Sequence, residues 1–265
     1  MTGTSVQYSV ETDCGPFRLT VAGGAGRPCV LIHGWGGTAA QWTALVPHLM
    51  AAHAVFLVDL PGGPAAPLTG PVSMTSLGEG VAACLRKAGV TDAILVGHSM
   101  GGPVMIETAL AFSDGIMGLL GLDTLADRIY YGGSDANEIA RRRAVFAADL
   151  EGETRRMVSA ITMPDTSPTL CRQIADSILS AKADDLLALR DAMFAWSIAD
   201  RLPLLRCPVH LLNSDEVYAA HERAPMPCLA IVPQSTYGHG HFPQIETPDA
   251  LSTSLLEALL LLQEG

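Results

Sequence analysis

The chain has 265 residues, which suits one large α/β domain or such a domain carrying one insertion. It is 49% hydrophobic but only 5% aromatic, so its core is expected to be mainly Leu, Val, Ile and Ala. A formal net charge of -11 argues against nucleic acid or anionic membrane as the main partner, because both call for a basic surface.

Six scattered cysteines (Cys14, Cys29, Cys84, Cys171, Cys207, Cys228) show neither a Cys-x-x-Cys pair nor metal-ligand spacing. They read as small hydrophobes in a reducing compartment rather than a disulfide framework. Met1 to Val10 contains no basic segment followed by an apolar one, and no apolar run reaches the ~18 residues of a membrane span. The expectation is a cytoplasmic protein with no metal site.

Val6 to Thr12 and Phe17 to Val21 alternate like an antiparallel pair, with Asp13-Cys14-Gly15-Pro16 as the turn. Cys29-Val30-Leu31-Ile32 reads as a fully buried strand running into His33-Gly34-Trp35-Gly36-Gly37. An amphipathic helix is expected over Ala39 to Met50, with Trp42, Leu45, Val46 and Leu49 on one face. Ala54 to Val58 is the next buried strand, ending at Asp59-Leu60-Pro61-Gly62. Thr75 to Ala88 follows as a helix with Leu77, Val81, Cys84 and Leu85 inward and Gly89 as its stop.

The apolar run Ala93-Ile94-Leu95-Val96 then enters Gly97-His98-Ser99-Met100-Gly101-Gly102, and Pro103 to Phe112 leads out as a helix. A serine on such a strand-to-helix turn sits in an unfavourable backbone conformation. Its neighbours two residues away must therefore lack a Cβ, and both are glycine. The turn aims the Ser99 hydroxyl away from the sheet and sets the Met100 N–H at a helix N-terminus, where negative charge is favoured.

On this strand, hexapeptide and helix the chain resembles the α/β-hydrolases. The resemblance implies a mostly parallel central sheet with helices on both faces and a helical cap insertion. It also implies an oxyanion hole made by the backbone N–H groups of Trp35 and Met100, and a structural role for His33. Relatives continue the segment at Asp59 as Asp-x-Pro-Gly-His-Gly-x-Ser, whereas here Gly63-Pro64-Ala65-Ala66-Pro67 follows, so no role carries over to that loop. Asp59 reads as a strand-end structural carboxylate.

Met117 to Leu122 is another buried strand, ending at Asp123. From there to Arg206 the pattern is helical: Glu138 to Leu150, opened by an Asp135/Glu138 capping box, then Pro168 to Ser180 and Asp184 to Ile198. By resemblance, residues 1–123 and 207–265 form the hydrolase core and 124–206 the cap. Met193, Phe194 and Trp196 are candidates for the substrate pocket, with cap-to-core packing the alternative for each. Arg141-Arg142-Arg143 reads as a solvated helix face rather than an anion site. Pro208 to Leu212 resumes the sheet, Cys228 to Val232 is taken as its last strand, and Asp249 to Leu262 as the closing helix after Thr247-Pro248.

A serine hydroxyl needs a base to remove its proton, and the base needs a carboxylate to orient it. In the family these appear in the order Ser, Asp, His at strand ends, which here gives Ser99, Asp215 and His241. The closing pattern Gly240-His241-Phe242 with Glu246-Thr247-Pro248 favours His241 over His239. Asp123 is the alternative acid, since some relatives carry theirs after that earlier strand. His48, His53, His98, His210 and His221 have no partner in view and read as structural. The implied activity is that of a cofactor-free serine hydrolase acting on a small-molecule carboxylic ester or lactone through an acyl-enzyme. C–C bond hydrolases, thioesterases, acyltransferases and lyases share the fold and the serine, and a non-catalytic ligand receptor is the reading from another class.

Overall fold

Alternate residues of a strand point to opposite faces, and in this chain both faces are apolar over the central strands. The computed structural model, which describes residues 6–264, accordingly has an eight-stranded sheet covered on both sides. The first five residues of the Met1–Val10 stretch lie outside the described residues. The strands are β1 Gln7–Thr12, β2 Gly15–Gly23, β3 Arg27–Ile32, β4 His53–Asp59, β5 Ala93–His98, β6 Ile116–Leu122, β7 Val209–Asn213 and β8 Gln234–Thr236. Their spatial order is β1-β2-β4-β3-β5-β6-β7-β8. The β1–β2 and β2–β4 pairs are antiparallel and every later pair is parallel. Parallel strands need crossovers, and these carry the helices.

The helices, in chain order, are α1 Val46–Leu49, α2 Met74–Ala88, α3 Gly101–Ala111, α4 Arg128–Tyr131, α5 Ala136–Ala148, α6 Leu150–Ile161, α7 Pro168–Leu179, α8 Ala183–Ala195, α9 Ile198–Arg201, α10 Asp215–Arg223, α11 Pro243–Glu246 and α12 Pro248–Glu264. Two cores result. Val30 and Ile32 of β3 pack with Leu77 and Val81 of α2 and Val104 of α3 on one face. Cys29 and Leu31 of the same strand pack with Trp42, Leu49 and Leu255 on the other. Burial pushes the Cys29 thiol up to about 12, so it is an inert core residue. Helices α4 to α9 all lie between β6 and β7 in the chain. No helix among the described residues is long and apolar enough to cross a membrane.

Three expected elements differ. The helix expected over 39–50 is a 3-10 turn, Ala39–Trp42, followed by the single turn α1. Pro47 has no N–H to continue an upstream helix and sits instead in the first turn of a new one. Trp42, Leu45 and Leu49 are fully buried all the same. The helix expected over 138–150 ends at Ala148, because Asp149 turns the chain and caps the unanticipated α6 through the Gly152 N–H at 2.9 Å. Asp135 does cap α5, but the Glu138 carboxylate is held by Arg141 and Arg142 and does not close a box. Cys228–Val232 is not a strand: Pro227 presets a 3-10 turn, and Ile231 is 91% exposed. The edge strand is β8, paired with Leu211–Asn213.

Helix α2 runs so close to α3 that a Cβ on Gly78 would lie 2.4 Å from Glu107 Cβ and 2.6 Å from its carbonyl carbon. Gly78→Ala is therefore expected to destabilise the fold by ~1–3 kcal/mol, read as a lower urea midpoint. The ~1 kcal/mol of helix propensity that alanine adds does not offset a clash with backbone.

Candidate active site

Ser99 leaves β5 with φ 52, in the left-handed region that costs a non-glycine residue ~1–3 kcal/mol. The surrounding structure holds it there. Its N–H donates to Leu122 O at 3.1 Å, and its carbonyl accepts from the Gly102 N–H at 2.8 Å and from Thr124 Oγ1 at 2.6 Å. A Cβ on Gly97 would meet Gly101 O at 2.3 Å, and one on Gly101 would meet Ile32 O at 2.5 Å. The tight turn thus needs both glycines. Gly34 approaches from the loop after β3, where a Cβ would stand 3.0 Å from Ser99 Cβ.

That approach brings the Trp35 backbone alongside the serine turn. Among the described residues neither the Trp35 nor the Met100 N–H donates to another protein group. The Trp35 ring is anchored separately, with Nε1 donating to Leu186 O at 2.7 Å.

His241 Nδ1 donates to Asp123 Oδ2 at 2.6 Å. Asp123 is 3% exposed, has φ 46 directly after β6, and uses its other oxygen to accept the Ser214 N–H at 2.7 Å. Burial alone would raise its carboxyl pKa. The hydrogen bonds and charge of His241, with the Ser214 contact, outweigh that and hold it below the ordinary value.

The His241 loop is fixed from several sides. Its N–H donates to Ile161 O at 2.7 Å, its carbonyl accepts from His98 Nε2 at 2.7 Å, and Tyr237 Oη donates to Gly240 O at 2.5 Å. Glu246 joins this loop to the end of α6, accepting the N–H groups of Met163 at 2.8 Å and Phe242 at 3.0 Å and the Thr166 hydroxyl.

Asp215 is not brought to His241, which corrects the sequence expectation for the acid. It is the first residue of α10, with its side chain about half exposed, and its Oδ2 lies 3.9 Å from His239 Nε2. The physical reason is the immediate start of that helix. Ser214 takes the N-cap position, accepting the Val217 N–H at 3.3 Å, so Asp215 turns into the first helical turn, where a carboxylate is favoured. His239 is exposed and pairs with Glu216 at 2.7 Å, which raises its pKa.

Ser99, Asp123 and His241 line one cavity of about 160 Å³, together with Trp35, Tyr131 and Met193. The other two expected pocket residues face elsewhere. Phe194 stacks on Tyr130 with ring centroids 5.4 Å apart, and Trp196 Nε1 donates to Glu107 Oε1 at 2.7 Å. Both are packing residues of the helices between β6 and β7, and the buried Trp196 indole N–H finds the acceptor it needs on Glu107 of α3. Arg141 and Arg142 pair with Glu138, and Arg143 pairs with Asp191. Asp59 accepts the Ala39 N–H at 2.8 Å.

Several lining residues were missed, Tyr131 and Arg190 among them. The Tyr131 phenol is buried at the cavity wall, and burial raises it above its ordinary pKa. Arg190 also lines the cavity, one helical turn before Phe194. Nothing local in the sequence marks either as facing the serine. Among the described residues no cluster of His, Cys, Asp or Glu suits a metal ion.

Residues 29–253 match the alpha/beta hydrolase family, and the chain belongs to it. A rice protein (Oryza sativa subsp. japonica) named as a probable esterase is 25% identical over 244 residues, covering 86% of this chain and 89% of that one. A pimeloyl-[acyl-carrier protein] methyl ester esterase from Aeromonas hydrophila is 40% identical over 99 residues, which is 37% of each chain. Among solved structures, an esterase from Thermogutta terrifontis superposes with a TM-score of 0.78 at 22% identity, covering 98% of this chain and 99% of that one.

The His241–Asp123 hydrogen bond should give a far-downfield imidazole proton resonance that Asp123→Asn shifts or removes and Asp215→Asn leaves in place. The opposite pattern would assign the acid to Asp215. A second expectation concerns pH. His33 donates from Nδ1 to Gly34 O at 2.8 Å and accepts the Leu60 N–H on Nε2 at 3.1 Å, so it is held neutral. His98 is likewise neutral, lowered by burial from 6.5 to about 3. Unfolding frees these rings to bind protons, so between those values the unfolded state holds more protons and stability falls as pH drops below about 6.5. The Tm should decline from about pH 7.5 to about pH 5, less steeply in His98→Gln, and a flat parental profile would contradict the assignment.

Proposed function

We propose that this chain is a serine hydrolase that cleaves a small-molecule carboxylic ester or lactone with Ser99 as nucleophile, His241 as base and Asp123 as the orienting acid. The observation that carries this is the buried His241–Asp123 hydrogen bond opening onto the cavity that also receives Ser99. With Nδ1 protonated and donating to Asp123, the neutral ring presents Nε2 as the free base.

In the proposed reaction Ser99 Oγ attacks the carbonyl carbon as its proton passes to His241 Nε2. The carbonyl oxygen takes up negative charge and is met by the N–H groups of Trp35 and Met100, the latter at the start of α3. The tetrahedral carbon collapses, the alkoxide leaves with the proton from His241, and an ester of Ser99 remains. Water then gives its proton to His241 and attacks that ester, and Ser99 recovers its proton as the carboxylic acid departs. Every proton and electron pair in this scheme comes from substrate, water or side chain, so it calls for no cofactor.

The helices α4 to α9 act as the cap that covers the cavity, and the Ile161 and Glu246 contacts tie cap and base loop together. The six cysteines are free thiols, three of them buried, a state suited to the reducing cytoplasm.

On p-nitrophenyl butyrate, Ser99→Ala and Asp123→Asn should each lower kcat by at least about 10³-fold, whereas Asp215→Asn should stay at the parental level. A sulfonyl fluoride should add one covalent group to the parent and none to Ser99→Ala, seen by intact mass. Near-normal turnover by Ser99→Ala would sink the scheme.

A further inference from the structure

Arg190 is a charged residue in a place that gives it no counter-ion. It lies on α8, is 7% exposed, and lines the same cavity as Ser99 and His241. Its guanidinium carbon sits 3.3 Å from the centroid of the Phe146 ring, with the Phe194 and Trp35 rings at 5.2 and 5.5 Å. Burial pulls its pKa down to about 10, so it remains a cation at neutral pH.

The acids near it are otherwise engaged. Its chain neighbour Asp191 is bound by Arg143 at 2.6 Å, and Glu153, whose charge also reaches it, is bound by Arg156 at 2.6 Å. Of the two carboxylates that line the cavity, Asp123 holds His241, and Asp127 accepts the Ile129 N–H at 2.7 Å as the cap of α4. Among the described residues Arg190 forms no salt bridge and its guanidinium donates no hydrogen bond to protein.

Aromatic faces stabilise such a cation above and below its plane, but they offer nothing to the five N–H groups that lie in the plane. A buried charge left in that condition is costly unless something planar and anionic completes it, and a carboxylate matches the fork bidentately. Apolar side chains, Met157, Ile161, Ile178 and Met193, line the cavity too, alongside polar Tyr130 and Asp127.

We propose that Arg190 is a substrate-binding residue for a carboxylate, and that the substrate is an ester carrying a carboxylate separated from the scissile carbonyl by an apolar spacer. This rests on the hydrolase reading above and deepens it. In a chain of net charge -11, the buried cation supplies a local attraction for an anion that the surface as a whole repels.

The test compares matched esters. Mono-p-nitrophenyl glutarate against p-nitrophenyl pentanoate places the charge on the acyl side, and 4-carboxyphenyl pentanoate against phenyl pentanoate places it on the alcohol side. One anionic ester should exceed its neutral partner at least about 10-fold in kcat/KM through KM, which also identifies the side. Arg190→Met should reduce that anionic ester's kcat/KM at least about 30-fold more than its neutral partner's, and Arg190→Lys should retain part of the preference because it keeps charge without the planar fork. Neutral esters preferred on both sides, or an equal loss on both members of a pair, would overturn the proposal.

Calorimetry on Ser99→Ala needs neither turnover nor a second variant. At least one of the two anionic esters should bind at least about 30-fold more tightly than its neutral partner, and equal or absent binding in both pairs would overturn the carboxylate site. If the parent hydrolyses none of the four esters while the anion still binds selectively, the hydrolase reading fails and the anion site stands.

Discussion

The hydrogen bond between His241 Nδ1 and Asp123 joins two segments that are 118 residues apart in the chain, and most of the architecture serves to keep it short and dry. It needs Asp123 buried at the end of β6 with its second oxygen on the Ser214 N–H. It also needs a glycine at 240, where φ is 83, so that the loop turns the imidazole inward. A carboxylate this buried is tolerable only because both oxygens are occupied by donors. Where the sheet ends therefore determines which residues can do chemistry.

Strain and close packing concentrate around that bond. Ser99, Asp123 and Leu125 all have positive φ within one small region, and the glycines beside Ser99 leave no room for a Cβ. Neutral His98 supports the arrangement from below, donating to the His241 carbonyl while accepting from Gln244 Nε2 at 3.3 Å. These interactions fix the site at the carboxyl ends of the central strands β5 and β6. The end of α6 and the segment after it add contacts through Ile161, Met163 and Thr166. The end of α6 and the His241 loop are thereby held together.

The helices between β6 and β7 also set the character of the cavity. Met157, Ile161, Ile178 and Met193 line it beside Tyr130 and Tyr131. Into this lining they insert one guanidinium, stacked on Phe146. Thr124, Asp127, Tyr130 and Tyr131 add further polar groups to the same wall.

The sequence by itself determined the parts governed by neighbours along the chain: the buried strands, the glycine-flanked turn at Ser99, α2 with its Gly89 stop, and the order of sheet and helices. These follow from periodicity and from steric limits a few residues wide. It also narrowed the acid to Asp123 or Asp215, each placed after a strand. Only the tertiary structure pairs one of them, Asp123, with His241, because β6 and β7 end side by side, with Asp123 N donating to Leu212 O at 3.0 Å. The pairing depended on a helix starting at once after β7. Cys228 to Val232 was misread for a related reason, since a short apolar run has no period long enough to separate strand from turn. The facing of Arg190 and Tyr131 belonged to the tertiary level too, because which side of a cap helix meets the cavity depends on contacts made far away in the chain.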